Sequence, residues 1–263
     1  MVVELIGIAA AIVGSFAAGI WDLKTTDVPD EITTIMGVLG IIIWTINLGI
    51  TGAYMPLVLS VALGTGVLLF GWVLYRAGQW GGGDAKLFAA IFYLIPSVAF
   101  LFDYIINLLF VAIAYLVVYS LVLGFRHPAV FAVAYHNLGM KRQLLAVYAA
   151  LIVVGAPLAA FLGYNPVIGA AYWLVGLGLL LFWAYARAIE KGVFHRTIPA
   201  SKLRVGDVLA SYKRWEGVTE AEVARIKKTK KVVKIKEGVR FTMVFALNIL
   251  VTLLIGNIAY LVF

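Results

Sequence analysis

Two carboxylates, Asp22 and Asp84, stand where apolar runs meet short polar connections. Asp22 closes SFAAGIWD with no polar residue before it, and Asp84 follows Gly81-Gly82-Gly83 in GQWGGGDAK. Carboxylates near or inside a bilayer are costly and become functional candidates by default. Two of them within about 3 Å cannot both ionise easily, so the pair shares a proton. The ionised member can then activate water for attack on a peptide carbonyl, while the protonated member hydrogen-bonds the carbonyl oxygen. By position alone the two acids fit equally well as ordinary helix ends, Asp84 at a helix N-terminus near Lys86. The glycines shift that balance. Gly81, Gly82 and Gly83 give up backbone entropy and permit φ > 0 or the close approach of another chain. An extended substrate could pair its amides with such a backbone. These three residues are therefore read as a docking surface and hinge.

The remaining acids outside the basic segment described below are Glu4, Asp27, Asp30, Glu31 and Asp103. Asp27, Asp30 and Glu31 share a short polar loop with Lys24 and Pro29, where water can solvate them; Asp30 is placed to cap the second helix. Glu4 and Asp103 read as end residues at the opposite face. The chain has no cysteine, which excludes disulfides, thiol nucleophiles and zinc–thiolate sites. Its histidines, His127, His136 and His195, lack HExxH spacing, and GxSxG is missing too. No metal and no cofactor is expected.

These acids need elements to hold them. Of 263 residues, 63% are hydrophobic and 13% charged, against about 45–50% and about 25% in soluble domains. The expected fold is an all-α polytopic membrane protein. A span needs about 20 mostly apolar residues, and six read directly, at 4–21, 32–50, 55–76, 143–163, 167–187 and 241–262. The first is read as a retained helix and not a cleaved signal, because Glu4 stands where a basic n-region would be. Residues 85–124 are too long for one span and suit two, with a turn near 96–104. The expected count is eight, or six or seven if one stretch is partly re-entrant. With the N-terminus outside, the inner loops are 22–31, 77–84, 125–142 and 188–240. All 21 Lys and Arg residues fall in or near these loops. The alternate loops, near 51–54, 96–104 and 164–166, hold none. Positive charge marks the cytoplasmic side, which puts Asp22 and Asp84 at the same depth on the inner face.

Three regions result: a helical bundle over 1–187, a basic cytoplasmic α/β lobe over 188–239 and a last helix over 240–263. From Arg187 to Arg240 there are 15 Lys and Arg against 6 acids. RVGDVLASY and KVVKIKEG read as short strands. Between them Thr219 and Glu222 form a capping box ahead of the amphipathic AEVARIKK. The lysines at 227, 228, 230, 231, 234 and 236 suit attraction to anionic lipid headgroups. Nucleic acid is not expected as a partner, since no aromatic interleaving accompanies the charge.

Gly81-Gly82-Gly83-Asp84 resembles the G-x-G-D signature of the GxGD aspartyl proteases. With Lys86 it is similar to GGGDxK of the type IV prepilin and archaeal preflagellin (prearchaellin) peptidase family. Asp22-Leu23-Lys24 followed by Val28-Pro29-Asp30 resembles that family's first-aspartate segment, with Asp30 where Asn is often seen. IPASKLRVGDVLA and KIKEGVRFTMVFAL look like the C-terminal part of archaeal members. The resemblance implies that Asp22 and Asp84 are a catalytic pair and that Lys86 belongs with the glycines to the substrate-binding segment. It further implies cleavage of short basic leaders from type IV pilin-like or archaellin precursors at the cytoplasmic face. Bacterial members often carry a cysteine-rich zinc loop and N-methylate the new terminus. This chain lacks the cysteines, so peptidase activity without methylation is expected. Two competing readings are a proton- or cation-coupled transporter, which would set acids deeper in its spans, and a presenilin or signal-peptide-peptidase type of protease. The latter carries its first acid in a Tyr-Asp segment, whereas Trp21-Asp22 stands here.

Overall fold

The computed structural model describes residues 2–139, 166–212 and 217–262, together with 146, 149, 153, 155, 157 and 161. Among them are α1 (Val2–Thr25), α2 (Asp30–Thr51), α3 (Met55–Arg76), α4 (Gly82–Leu94) and α5 (Val98–Arg126). Then follow α6 (Ala129–Gly139), α7 (Pro166–Ile189), β1 (His195–Pro199), β2 (Val208–Leu209), α8 (Glu220–Thr229), β3 (Val232–Lys236), α9 (Met243–Ile255) and α10 (Ala259–Val262). Helices α1, α2, α3 and α5 are long and apolar enough to cross a membrane. The expected span over 143–163 lies outside the described residues except for isolated positions. The expected span over 167–187 falls on α7.

Two expected spans differ in form from the sequence reading. The stretch 85–124 divides at its early edge, at Ile95-Pro96-Ser97. Proline has no N–H to continue a helix and pushes the residue before it out of helical geometry; Ile95 has φ −120° and ψ 77°. Ser97 restarts the chain as a cap, its Oγ accepting the Phe100 amide at 3.2 Å. The result is unequal: α4 has 13 residues and α5 has 29. Likewise 241–262 is not continuous, because α9 stops at Gly256, whose φ of 76° takes the chain out of the helix. The loosened backbone is answered from α5. Asn107 Nδ2 donates to the Gly256 carbonyl at 2.6 Å, and Asn107 Oδ1 accepts the Ile258 amide at 2.8 Å. Asp103 Oδ1 accepts from Asn257 Nδ2 at 3.0 Å. Asp103 thus lies inside a helix and not in a turn, with a structural partner.

The chain forms two compact units, one built from Met1–Leu116 and Gly238–Phe263, the other from Val117–Ser211 and Gly217–Glu237. In the first, α4 is enclosed, with Ala85, Leu87–Phe92 and Leu94 all buried. A helix apolar on every side belongs inside a protein. Its neighbours approach closely: Gly40 and Gly64 lie against Tyr93, and Gly7 against the Leu94 carbonyl. The carbonyls that end α4 are answered by side chains, Leu94 by Trp44 Nε1 at 3.3 Å and Tyr93 by Ser60 Oγ at 2.6 Å. Phe88, Phe92, Phe100, Tyr104 and Phe245 pack as one aromatic cluster, with centroids 5.4–6.1 Å apart.

In the second unit, β3 lies between β1 and β2 in an antiparallel sheet of order β1-β3-β2. Val233 and Ile235 point into its core, and Lys234 faces out. KVVKIKEG is a strand as expected, whereas RVGDVLASY contributes only Val208 and Leu209. Strand β1, HRTIP, is short and ends in proline, which leaves no alternation to read. The capping box forms: Thr219 N donates to Glu222 Oε2 at 2.8 Å and Glu222 N to Thr219 Oγ1 at 3.4 Å. The expected loop 125–142 instead contains α6, an apolar run begun after Pro128.

The Tyr93 crossing gives a test. An alanine Cβ at Gly40 would run into the Tyr93 backbone carbonyl, which cannot swing aside, whereas at Gly49 it would meet nothing within 4 Å. Overpacking costs about 1–3 kcal/mol, or roughly 2–10 °C in Tm for a chain of this size. Gly40→Ala should lower the melting temperature in detergent by that amount, while Gly49→Ala should hold or raise it.

Candidate active site

Asp22 occupies the last turn of α1 and Asp84 the third position of α4, and α1 and α4 run antiparallel. The crossings fix that direction: Gly7 of α1 meets Leu94 at the far end of α4, and Val28, just past α1, meets Gly83. Both acids therefore lie at one end of the bundle. Asp22 is buried and Asp84 half-buried.

The acids converge on one residue. Thr242, immediately before α9, donates its backbone N–H to Asp22 Oδ2 at 3.1 Å and its hydroxyl to Asp84 Oδ1 at 2.9 Å. Thr242 is 2% exposed. The Gly81 amide adds a donor to Asp84, and the charge of Asp22 acts on Asp84. Arg240 attracts and Asp27 repels at Asp22. The sequence reading placed the acids at one depth, and the structure brings them to two polar atoms of the same residue. Such an arrangement can share a proton between two carboxyls and so supply an acid and a base to one water-dependent reaction.

Local backbone explains how the first segment reaches the second. Thr26 has φ 63°, a left-handed conformation that is rare for a β-branched residue, and its amide closes the end of α1 on the Asp22 carbonyl at 2.8 Å. The chain turns there and delivers Val28 to Gly83. A Cβ on Gly83 would lie 2.7 Å from Val28 Cβ, so this glycine is required by a contact within the protein. Gly82 differs, because a Cβ there would meet only the Tyr75 ring, at 3.7 Å. Positive φ is not used by the triplet. Gly81 is extended at φ −72°, ψ 149°, and the left-handed glycine nearby is Gly78, at φ 73°.

Lys86 pairs with Asp30, Nζ to Oδ1 2.6 Å, tying the start of α2 to the start of α4. Asp30 makes no capping bond of its own; Pro29 holds the N-cap position of α2. Asp27 Oδ1 accepts the Val28 amide at 3.0 Å, a local turn contact. Thr242 and Arg240 were not singled out in the sequence. The one available signal was a hydroxyl residue at the entry to an apolar run.

With this geometry in place, residues 9–125 match the Type IV leader peptidase family. The match covers less than half of the chain. It includes Asp22 and Asp84 but ends well before Thr242. A prepilin peptidase, EppA, of Methanothermobacter thermautotrophicus is 28% identical over 96 residues, covering 36% of this chain and 25% of that protein. A preflagellin peptidase of Methanococcus voltae is 30% identical over 96 residues, covering 36% of this chain and 41% of its own length. The similarity thus spans well under half of either relative. No solved structure matches the chain significantly.

The Gly83 contact separates packing from docking within this matched segment. Gly83→Ala should destabilise by about 1–3 kcal/mol through Val28, and Val28→Ala should recover part of the loss in the double variant. Gly82→Ala should leave the melting temperature unchanged. Thermal melts of the four proteins in one detergent check this.

Proposed function

We propose that this protein is a membrane-embedded aspartyl endopeptidase that removes short basic leaders from prepilin- or prearchaellin-type precursors. The convergence of Asp22 and Asp84 on Thr242 carries the reading. Two acids remote in sequence and drawn out of water to the same residue match what carboxylate-pair hydrolysis requires. The names of the similar proteins supply the substrate class. In the reaction, one ionised carboxylate takes a proton from water as the oxygen attacks the peptide carbonyl. The protonated partner hydrogen-bonds the carbonyl oxygen and then gives its proton to the leaving amine. The bond broken is the peptide C–N bond, and water supplies the new C–O bond.

The substrate approaches along the glycine segment. The opening beside Gly82 suits an extended peptide backbone, while Gly83 is already occupied by Val28. The site faces the cytoplasm, a reading supported by the charge asymmetry, with Lys24, Arg76, Lys86 and Arg240 at the same end as the acids. The basic lobe meets anionic lipid, because a basic surface repels a basic leader. No N-methylation accompanies cleavage.

Co-expression with a prearchaellin tests the assignment. Wild type should shift the precursor to its mature size, and Asp22→Asn and Asp84→Asn should each abolish the shift. Asp27→Asn, Asp30→Asn and Asp103→Asn should retain it, since those acids have other partners or none of the shared geometry. Cleavage that survives at Asp22→Asn or Asp84→Asn would remove that acid from the pair, and selective loss at Asp103→Asn would favour a transport role. Gly82→Val should block cleavage with membrane insertion intact, because the added bulk falls where the peptide would lie.

A further inference from the structure

We infer that Thr242 is the positioning residue of the carboxylate pair, holding Asp22 as the proton acceptor and leaving the shared proton on Asp84. This rests on the peptidase reading and divides the two roles that it leaves open. The hydrogen bonds at Thr242 accommodate this division. A backbone N–H can only donate, so the Oδ2 of Asp22 that faces it at 3.1 Å must present a lone pair. A hydroxyl both donates and accepts. The Asp84 Oδ1 at 2.9 Å can therefore carry a proton or lack one and keep its bond to Thr242 either way. The Gly81 amide takes only one acceptor site on Asp84, which a neutral carboxyl still provides through its carbonyl oxygen.

Neighbouring charge favours the same division. At Asp22, Arg240 adds positive charge against the opposing Asp27. Asp84 faces the negative charge of Asp22, and the nearest cation on its own helix, Lys86, is engaged by Asp30. Thr242 is also at an N-cap, a position where a threonine hydroxyl usually caps its own helix. Here it makes no capping bond. Its hydroxyl donates to Asp84.

The same hydroxyl can reset the pair. After one turnover Asp22 holds the proton taken from water, and Asp84 has lost its proton to the leaving amine. Thr242 touches both carboxyls, Asp22 through its amide and Asp84 through its hydroxyl. The hydroxyl oxygen accepts a proton from Asp22 as its own O–H proton passes to Asp84. No other reactant is consumed, and the starting protonation is restored.

Purified protein and a prearchaellin decide the matter. Thr242→Val removes the hydroxyl but keeps the amide and nearly the shape. It should lower kcat by about tenfold, the upper scale of one neutral hydrogen bond, with KM unchanged within about twofold. Thr242→Ser restores the hydroxyl and should recover most of kcat. That split separates positioning from packing, since a packing defect would not be repaired by the smaller serine. Equal kcat in wild type and Thr242→Val overturns the inference, as does equal loss in the valine and serine variants. If wild type cleaves and Asp22→Asn and Asp84→Asn do not, such a result sinks the role of Thr242 alone. A wild type that cleaves no precursor removes the peptidase reading and this inference together.

Discussion

The buried end of an enclosed helix has no water, so the backbone groups it leaves over must be answered by a neighbour. That constraint organises the first unit around α4. Its last carbonyls are met by Trp44 and Ser60, and its first turn by the Asp84 carboxyl on the Gly81 amide. Each partner must come within hydrogen-bond reach, which demands small residues where backbones cross. Gly7, Gly40 and Gly64 surround the Tyr93–Leu94 end for that reason. The far end of α4 is pinned by packing, and pinning it fixes the depth at which Asp84 emerges.

The same requirement accounts for polar residues that otherwise look misplaced in apolar runs. Asn107 lies fully buried in α5, and its amide meets both the Gly256 carbonyl and the Ile258 amide. It stands in for the helical bonds that Gly256 interrupts. Asp103 supports the same break through Asn257. Asn248 reaches the Tyr104 carbonyl at 2.9 Å, and the Tyr104 hydroxyl reaches the Phe245 carbonyl at 3.0 Å, so α5 and α9 are joined by reciprocal bonds. Helix α9 is thereby fixed along its length, and with it the position of Thr242 at its start.

What could be read from the sequence follows from the range of each interaction. Among the described residues, the apolar runs, the proline break and the capping box are set by neighbours within a few residues, and each appears as a helix, a turn or a cap. The pairing of Asp22 with Asp84 was legible only as a shared depth, since two spans intervene between them. Thr242 was not legible at all. It lies 220 residues from Asp22 and 158 from Asp84, and a threonine ahead of an apolar run reads first as a cap. The packing contact of Gly83 was not legible for a related reason. A glycine run signals that something comes close, but not whether it is substrate or the protein's own Val28.

The left-handed Thr26 links these observations. A β-branched residue at φ 63° is held there against its own preference, at a cost of about 1–3 kcal/mol. A longer loop would reach α2 without that strain, but it would not bring Val28 onto Gly83 directly after Asp22. With the tight turn, the end of α1 and the start of α4 are bound to each other by Val28 on Gly83, beside the ion pair of Lys86 and Asp30. That pair is exposed and contributes little by itself, so the apolar contact carries most of the alignment. The first acid then depends for its position on the backbone of the second acid's helix. Thr242 can bridge them only because that distance is already set.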